Sequence, residues 1–123
     1  MVREPEPEVP LTGGHMNTVV RVGDTVRRTA GPWTPTIHAL LRHVRAAGFT
    51  LAPEPLGIDA RGREVLAYLP GAAASYPLRD GVFFSDATLD AIAAMLRAYH
   101  DATAGFVVPP GGVWQFPPHD RSR

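Results

Sequence analysis

Residues 17–48 constrain the fold of this chain more than any other stretch, because they combine the pattern of a tight hairpin with that of one amphipathic helix. The dipeptide Gly23-Asp24 lies between two runs of β-branched residues, 19–22 and 25–26. A Gly-Asp link of this kind predicts a two-residue hairpin, because glycine readily adopts the positive φ that such turns need.

A helix is predicted to follow the hairpin over residues 34–47. Thr34 can cap the exposed N–H groups, and Pro35 suits the first helical position, where its missing N–H has no partner to lose. Gly48 is expected to end the helix in a left-handed conformation. One apolar stripe is formed by Ile37, Leu40, Leu41 and Val44. The stretch therefore predicts a sheet with a helix packed on one face.

The remaining sequence predicts a second hairpin and a second helix. Residues 56–59 and 64–69 are apolar runs around a turn at 60–63, and Pro70-Gly71 stops the second run. The second helix is expected over residues 85–105, with Ser85 as its N-cap and Gly105 at its end. Its predicted stripe consists of Leu89, Ile92, Ala93, Leu96, Tyr99 and Thr103.

Composition excludes several classes of function. The chain has 123 residues, a formal net charge of zero and no cysteine. A chain with zero net charge lacks the positive charge that usually attracts nucleic acids or anionic membranes. No apolar run is close to the length of about 20 residues that a membrane-spanning helix needs. The absence of cysteine excludes disulfides and thiol chemistry and agrees with a reducing compartment. We therefore expect a cytoplasmic protein with neither nucleic acid nor membrane as partner.

The sequence contains no self-sufficient catalytic or metal motif. The five histidines show no H-E-x-x-H or i, i+4 pairing, so no metal site is predicted. The basic residues Arg27, Arg28, Arg42, His43 and Arg45 form either a basic patch or, as we favour, a solvated surface. Strand alternation places Arg27 and Arg28 on opposite faces, and Arg28 shares a face with Val26. If Val26 packs inward, Arg28 lines a cleft.

Four stretches resemble the N-terminal lobe of aminoglycoside phosphotransferase-like proteins, in the bacterial branch labelled phosphotransferase enzyme family or trifolitoxin-immunity-like. They are LTGGHMNTVVRVGDTVRR, HALLRHVRAAGF, PEPLGIDARGREVLAYLPG and LRAYHDATAGF, which lie between residues 11 and 106. The resemblance as a whole spans about residues 11–116. The resemblance implies an α+β, protein-kinase-like small lobe. Such a lobe has a five-stranded antiparallel sheet, one packed helix, a hinge and then a second helix.

The resemblance also implies a domain layout and a nucleotide site. The small lobe would comprise residues 9–71, the hinge 72–84, and the helix that starts a large lobe 85–105. Proline-rich composition predicts a disordered lead-in over residues 1–8 and an irregular tail over 106–123. ATP and Mg would bind between the lobes. The residues implied in nucleotide binding are Gly13, Gly14, Arg28, His38, Ala67 and Leu69. Gly13 and Gly14 would lie above the phosphates, while Ala67 and Leu69 would offer backbone C=O and N–H to adenine.

Two of these positions depart from the pattern of the family. Arg28 stands where the family has a phosphate-holding lysine, and an arginine still offers charge and several donors. His38 stands where the helix normally supplies a glutamate, and a neutral imidazole cannot form the same ion pair. His38 is equally explained as a helix residue beside the apolar stripe.

The expected function is therefore that of a nucleotide-binding small lobe. The sequence has no H-x-D-x-x-x-x-N loop and no following metal-binding aspartate, the groups that phosphoryl transfer requires. We expect a lobe that is cut short or split and inactive by itself, with a separate large lobe or a second copy as partner through the exposed cleft face. The alternative is a non-catalytic binding or immunity module that uses the lobe to contact a protein or peptide.

Overall fold

A computed structural model describes residues 6–11, 18–71, 81 and 85–116 of the chain. Its elements are β1 (Glu8–Pro10), β2 (Val19–Val22), β3 (Thr25–Thr29), α1 (Thr34–Ala46), β4 (Pro55–Ile58), β5 (Arg63–Ala67) and α2 (Asp86–Thr103). The protein is therefore α+β, as predicted. Neither of these helices has both the length and the hydrophobicity needed to cross a membrane.

The five strands form one antiparallel sheet in the order β1-β2-β3-β5-β4. After β3, the chain passes through α1, forms the edge strand β4, and returns as β5 between β3 and β4. This confirms the predicted five-stranded antiparallel sheet with a helix inserted between its third and fourth strands.

The β2–β3 hairpin confirms the prediction made from Gly23-Asp24. Val22 pairs with Thr25, so the connecting loop has two residues, and Gly23 has a φ of 59°. Residues with a Cβ atom rarely adopt a positive φ, which explains why glycine is favoured at this position.

Helix α1 ends as predicted but begins differently. Trp33 occupies the N-cap position without a side-chain cap, and Thr34 is already helical. The Thr34 hydroxyl instead accepts a hydrogen bond from the backbone N–H of Gly31, at 3.0 Å. The predicted capping role of Thr34 is therefore wrong by one position. Gly48, with a φ of 97°, follows the helix and ends it.

The core between the two helices is centred on Val44, which is fully buried. Ala52 and Ala102 are buried beside it, and four partly buried residues pack around them: Leu40, Leu41, Phe49 and Tyr99. The C-terminal third of α2 thus completes the packing of α1.

The N-terminal part of α2 leaves its apolar residues accessible to solvent. Ser85 caps the helix as predicted, accepting a hydrogen bond from the Thr88 backbone N–H. Three residues of the predicted stripe are not buried by the described part of the chain: Leu89, Ile92 and Leu96 are 55%, 44% and 46% exposed.

The segment after α2 folds back over α1. A ring nitrogen of His43 lies 3.0 Å from the Ala104 carbonyl oxygen, and the ring of His43 meets that of Phe106 edge-on. Gly112 lies against buried Thr36, where a Cβ would come within 2.8 Å of the threonine hydroxyl. Only glycine allows this approach without a shift of the neighbouring atoms.

On the sheet face away from α1, Asp59 organises a network of charges. Its carboxylate accepts hydrogen bonds from the backbone N–H groups of Arg61 and Arg63, and from the guanidinium groups of Arg27 and Arg63. Desolvation opposes ionisation of Asp59, but the hydrogen bonds from Arg63 and Arg61 outweigh it and lower the pKa of Asp59 to about 2. A hydrogen bond from Arg63 also lowers the pKa of Glu8.

This network predicts a loss of stability in acid. Because the pKa of Asp59 is lower in the folded chain than in the unfolded chain, its ionisation stabilises the fold above the usual aspartate pKa. That contribution is lost as the pH falls from about 4 towards 2. Urea unfolding from pH 6 to pH 2 should show the wild type and Asp59→Asn converging. Asparagine retains an acceptor for the two backbone N–H groups, so a gap that stayed constant with pH would contradict a role for the charge.

Candidate functional site

The candidate site lies on the sheet face that α1 covers. Arg28 on β3 is the cross-strand partner of Glu64 on β5, and Val26 is the partner of Leu66. Successive side chains alternate between the two faces of a strand, so Arg28 and Glu64 share the face of Val26 and Leu66. Arg27 lies on the opposite face with Asp59, as the alternation predicted.

Glu64 is the centre of this site. It is 3% exposed, and each of its carboxylate oxygens has one partner. Oε1 accepts a hydrogen bond from Arg28 Nε, and Oε2 lies 2.8 Å from His38 Nε2. We call these three residues the Arg28–Glu64–His38 cluster. A buried carboxylate needs such partners, because an unpaired charge in the interior is strongly destabilising.

The contact with Glu64 fixes how His38 is used. An ionised carboxylate only accepts hydrogen bonds, so Nε2–H of His38 is the donor. In the neutral imidazole, Nδ1 then carries the lone pair and has no hydrogen-bond partner among the described residues. His38 is 4% exposed, so it is a buried part of the cluster.

Arg28 uses only one of its three guanidinium nitrogens in the contact with Glu64. Its Nε is used by Glu64, whereas its two terminal nitrogens have no hydrogen-bond partner among the described residues. The side chain is 37% exposed. A guanidinium that is fixed at one nitrogen and open at the other two can bind an oxyanion with two parallel hydrogen bonds. The site therefore fits a phosphate or carboxylate group.

The other predicted nucleotide-binding residues are only partly visible. Gly13 and Gly14 lie outside the described residues. Arg28 pairs with Val19, the first residue of β2. The described residues bring Arg28 and His38 together through Glu64 and do not place the glycines.

The backbone after β5 was predicted to meet adenine. The N–H of Ala67 donates to the Glu54 carbonyl and that of Tyr68 to the Asp24 carbonyl. Leu69 is 45% exposed, and its N–H has no partner among the described residues. The guanidinium of Arg21 stacks over the Tyr68 ring at 3.8 Å. Of the two predicted backbone positions, Leu69 thus has an N–H without a hydrogen-bond partner in the described part of the chain.

Magnesium has no visible ligand set in the described part of the chain. No three histidine or acidic side chains there lie close enough together to hold a metal ion. The residues of the cluster fit an anion and do not fit a resident divalent cation, because Glu64 is already shared between Arg28 and His38.

Sequence reasoning missed Glu64, although a signal was present. In the strand Arg63–Ala67, Glu64 alternates with Leu66 and therefore lies on the buried face. An acidic residue on the inward face of a strand requires a buried cation or donor. Asp59, the organiser of the opposite face, was also missed.

Comparison with known proteins gives one informative similarity. No protein-family model and no solved structure matches the chain. The chain is 41% identical over 110 residues to the trifolitoxin immunity protein of Rhizobium leguminosarum bv. trifolii. The alignment covers 88% of this chain but 40% of that protein, so the chain spans about two fifths of the length of its relative. The chain is therefore similar in sequence to part of a protein named for immunity to trifolitoxin.

Proposed function

We propose that this chain takes part in immunity, protecting the cell that makes it from trifolitoxin or a related toxin. The observation that supports this role is the 41% identity to the trifolitoxin immunity protein across 88% of the chain. The chain corresponds to part of that relative, so its contribution is best measured in the context of the longer protein.

A chimera tests the immunity role. The aligned segment of the trifolitoxin immunity protein is replaced by this chain, and survival of a sensitive bacterium is measured over a range of trifolitoxin concentrations. The chimera is expected to protect as the parent does. If it gave no protection at equal protein levels, the proposed role would be wrong.

We further infer that the chain acts as a kinase-like small lobe that binds a nucleotide phosphate through Arg28. The supporting observation is the Arg28–Glu64–His38 cluster, in which Glu64 holds Nε and leaves the terminal nitrogens of Arg28 open. In the pattern that the chain resembles, a carboxylate on the helix holds the cation. In this chain the carboxylate comes from β5, and the helix supplies a histidine that binds the same carboxylate.

ATP is the ligand that this inference specifies. The Arg28 guanidinium would bind phosphate oxygens, and the open N–H of Leu69 would bind the edge of the base. Phosphoryl transfer would require further groups, a base and metal ligands, which the resemblance assigns to a large lobe. Our proposal for this chain is therefore nucleotide binding.

Arg28→Ala is expected to weaken ATP binding at least tenfold in isothermal titration calorimetry, because it removes the positively charged phosphate donor. Arg97→Ala is the matched control, since Arg97 is an exposed arginine on α2 whose one ion pair is with Asp101. Equal ATP affinity for the wild type and Arg28→Ala would contradict the assignment of Arg28.

Direct binding of the toxin is the second candidate function. It is favoured by the accessible apolar residues of α2, Leu89, Ile92 and Leu96, because exposed apolar patches mark interaction surfaces. A ligand of the folded state raises the melting temperature by mass action. If trifolitoxin raises the melting temperature and saturating ATP does not, direct binding is supported and nucleotide binding is excluded.

A further inference from the structure

We propose that a cavity between α1 and β4 binds a small organic anion with an apolar body, at a site that adjoins the proposed nucleotide site and shares His38 with it. The cavity has a volume of about 560 Å³. We call it the α1–β4 cavity. His38 and Arg42 lie on its helix side, and Gly57 and Ile58 lie on its strand side.

The size and walls of the cavity suit a small molecule. Ligand pockets have volumes of roughly 300–1,000 Å³ and are lined mainly by apolar groups with a few polar ones. Pro35, Ile58 and Gly57 contribute apolar or backbone surface to the α1–β4 cavity. The volume of the α1–β4 cavity therefore lies within the range of small-molecule pockets.

Arg42 determines the charge of the ligand. It follows His38 by four residues on α1, so both side chains lie on the same side of the helix. Arg42 makes no ion pair or hydrogen bond with the described residues. Every other described arginine has a polar or aromatic partner there: Arg21, Arg27, Arg28, Arg45, Arg61, Arg63 and Arg97. A single uncompensated guanidinium beside an apolar cavity favours a carboxylate or similar anion.

His38 adds an acceptor at the wall of the same cavity. Its Nε2 lies 2.8 Å from Glu64 Oε2, and its Nδ1 has no hydrogen-bond partner in the described part of the chain. In the neutral ring, Nδ1 accepts a hydrogen bond. The ligand best suited to both residues therefore carries an anionic group for Arg42 and a hydroxyl donor for His38.

The two ring nitrogens of His38 connect the α1–β4 cavity to the Arg28–Glu64–His38 cluster. One nitrogen binds Glu64, and the other is available to the ligand. Binding in the cavity would therefore act on the carboxylate that holds Arg28. An effect of the ligand on nucleotide binding rests on the proposed role of Arg28, whereas ligand binding in the α1–β4 cavity does not.

Three eight-carbon probes test the proposal by amide NMR titration of the full chain. The probes are 3-hydroxyoctanoate, octanoate without the hydroxyl, and 1,3-octanediol without the charge. Saturable shifts are expected at Gly31, Gly57 and Ile58 with 3-hydroxyoctanoate. We expect weaker binding of octanoate and at least tenfold weaker binding of the uncharged diol.

Two variants complete the test. Arg42→Gln removes an exposed charge and should leave the fold intact while weakening 3-hydroxyoctanoate binding at least tenfold. Arg97→Gln, on α2, should leave binding unchanged. Three results would each overturn the site: no saturable shift up to 10 mM probe, equal binding by Arg42→Gln and the wild type, or equal shifts at Leu89 and Ile92 on α2. The last result would indicate general adsorption to apolar surface.

Discussion

Replacing Glu64 with alanine is expected to lower the free energy of unfolding by about 3 kcal/mol, because breaking a buried ion pair leaves its partners uncompensated. Glu64 is 3% exposed and is the hydrogen-bond partner of both Arg28 and buried His38. Its removal also creates a small cavity between β5 and α1. Urea unfolding followed by far-UV circular dichroism measures the loss.

Glu54→Ala is the matched control for this prediction. Glu54 precedes β4, is exposed, and its side chain has no hydrogen bond or ion pair with the described residues. Its replacement should change stability by less than about 0.5 kcal/mol, as for most surface substitutions. A double-mutant cycle of Arg28→Ala and Glu64→Ala should be non-additive, because the two side chains are in contact. Additive effects would show that the contact contributes little to stability.

Val44→Ala is expected to destabilise the chain by about 2 kcal/mol, because it removes two fully buried methyl groups and leaves a cavity. The Val44 side chain extends from α1 and packs against the C-terminal third of α2, with Ala102 and Tyr99 as neighbours. The melting temperature should fall by roughly 6–12 °C for a chain of this length.

Val107→Ala provides the comparison for Val44, because it makes the same chemical change at a side chain that is 80% exposed. It should have almost no effect on the melting temperature. If the two alanine variants unfolded at the same temperature, the packing of α2 on α1 would not contribute to stability in solution.

The parts of the fold that were predicted correctly are those encoded by neighbouring residues. Gly23 supplies the hairpin turn, Gly48 ends α1, and Ser85 caps α2, each through contacts within a few positions along the chain. The second hairpin was also predicted, and Asp59 explains its turn, since it accepts hydrogen bonds from two backbone N–H groups of that turn.

The site was harder to predict because it depends on register between distant strands. Arg28 and Glu64 are 36 residues apart and meet only because β5 inserts between β3 and β4 with one particular alignment. A shift of one residue would place Val65 opposite Arg28 and turn Glu64 to the other face. The sequence therefore singled out Arg28 and His38 as candidates but not the carboxylate that contacts both.

The exposure of α2 was unpredictable for a different reason. A stripe such as Leu89, Ile92 and Leu96 shows that one helix face is apolar, but it does not show what lies against that face. In α1 the same kind of pattern ends at a buried Val44.

The insertion of β5 between β3 and β4 also affects the order in which the chain can acquire structure during translation. The β2–β3 hairpin uses neighbouring residues and can form as soon as it is synthesised. The other edge of β3 stays unpaired until β5 has been synthesised, and Glu64 of β5 comes 36 residues after its partner Arg28. An unpaired edge is a template for pairing between nascent chains, and charged side chains oppose such pairing. The adjacent arginines at positions 27 and 28 place that charge on both faces of β3 throughout the interval before β5 emerges.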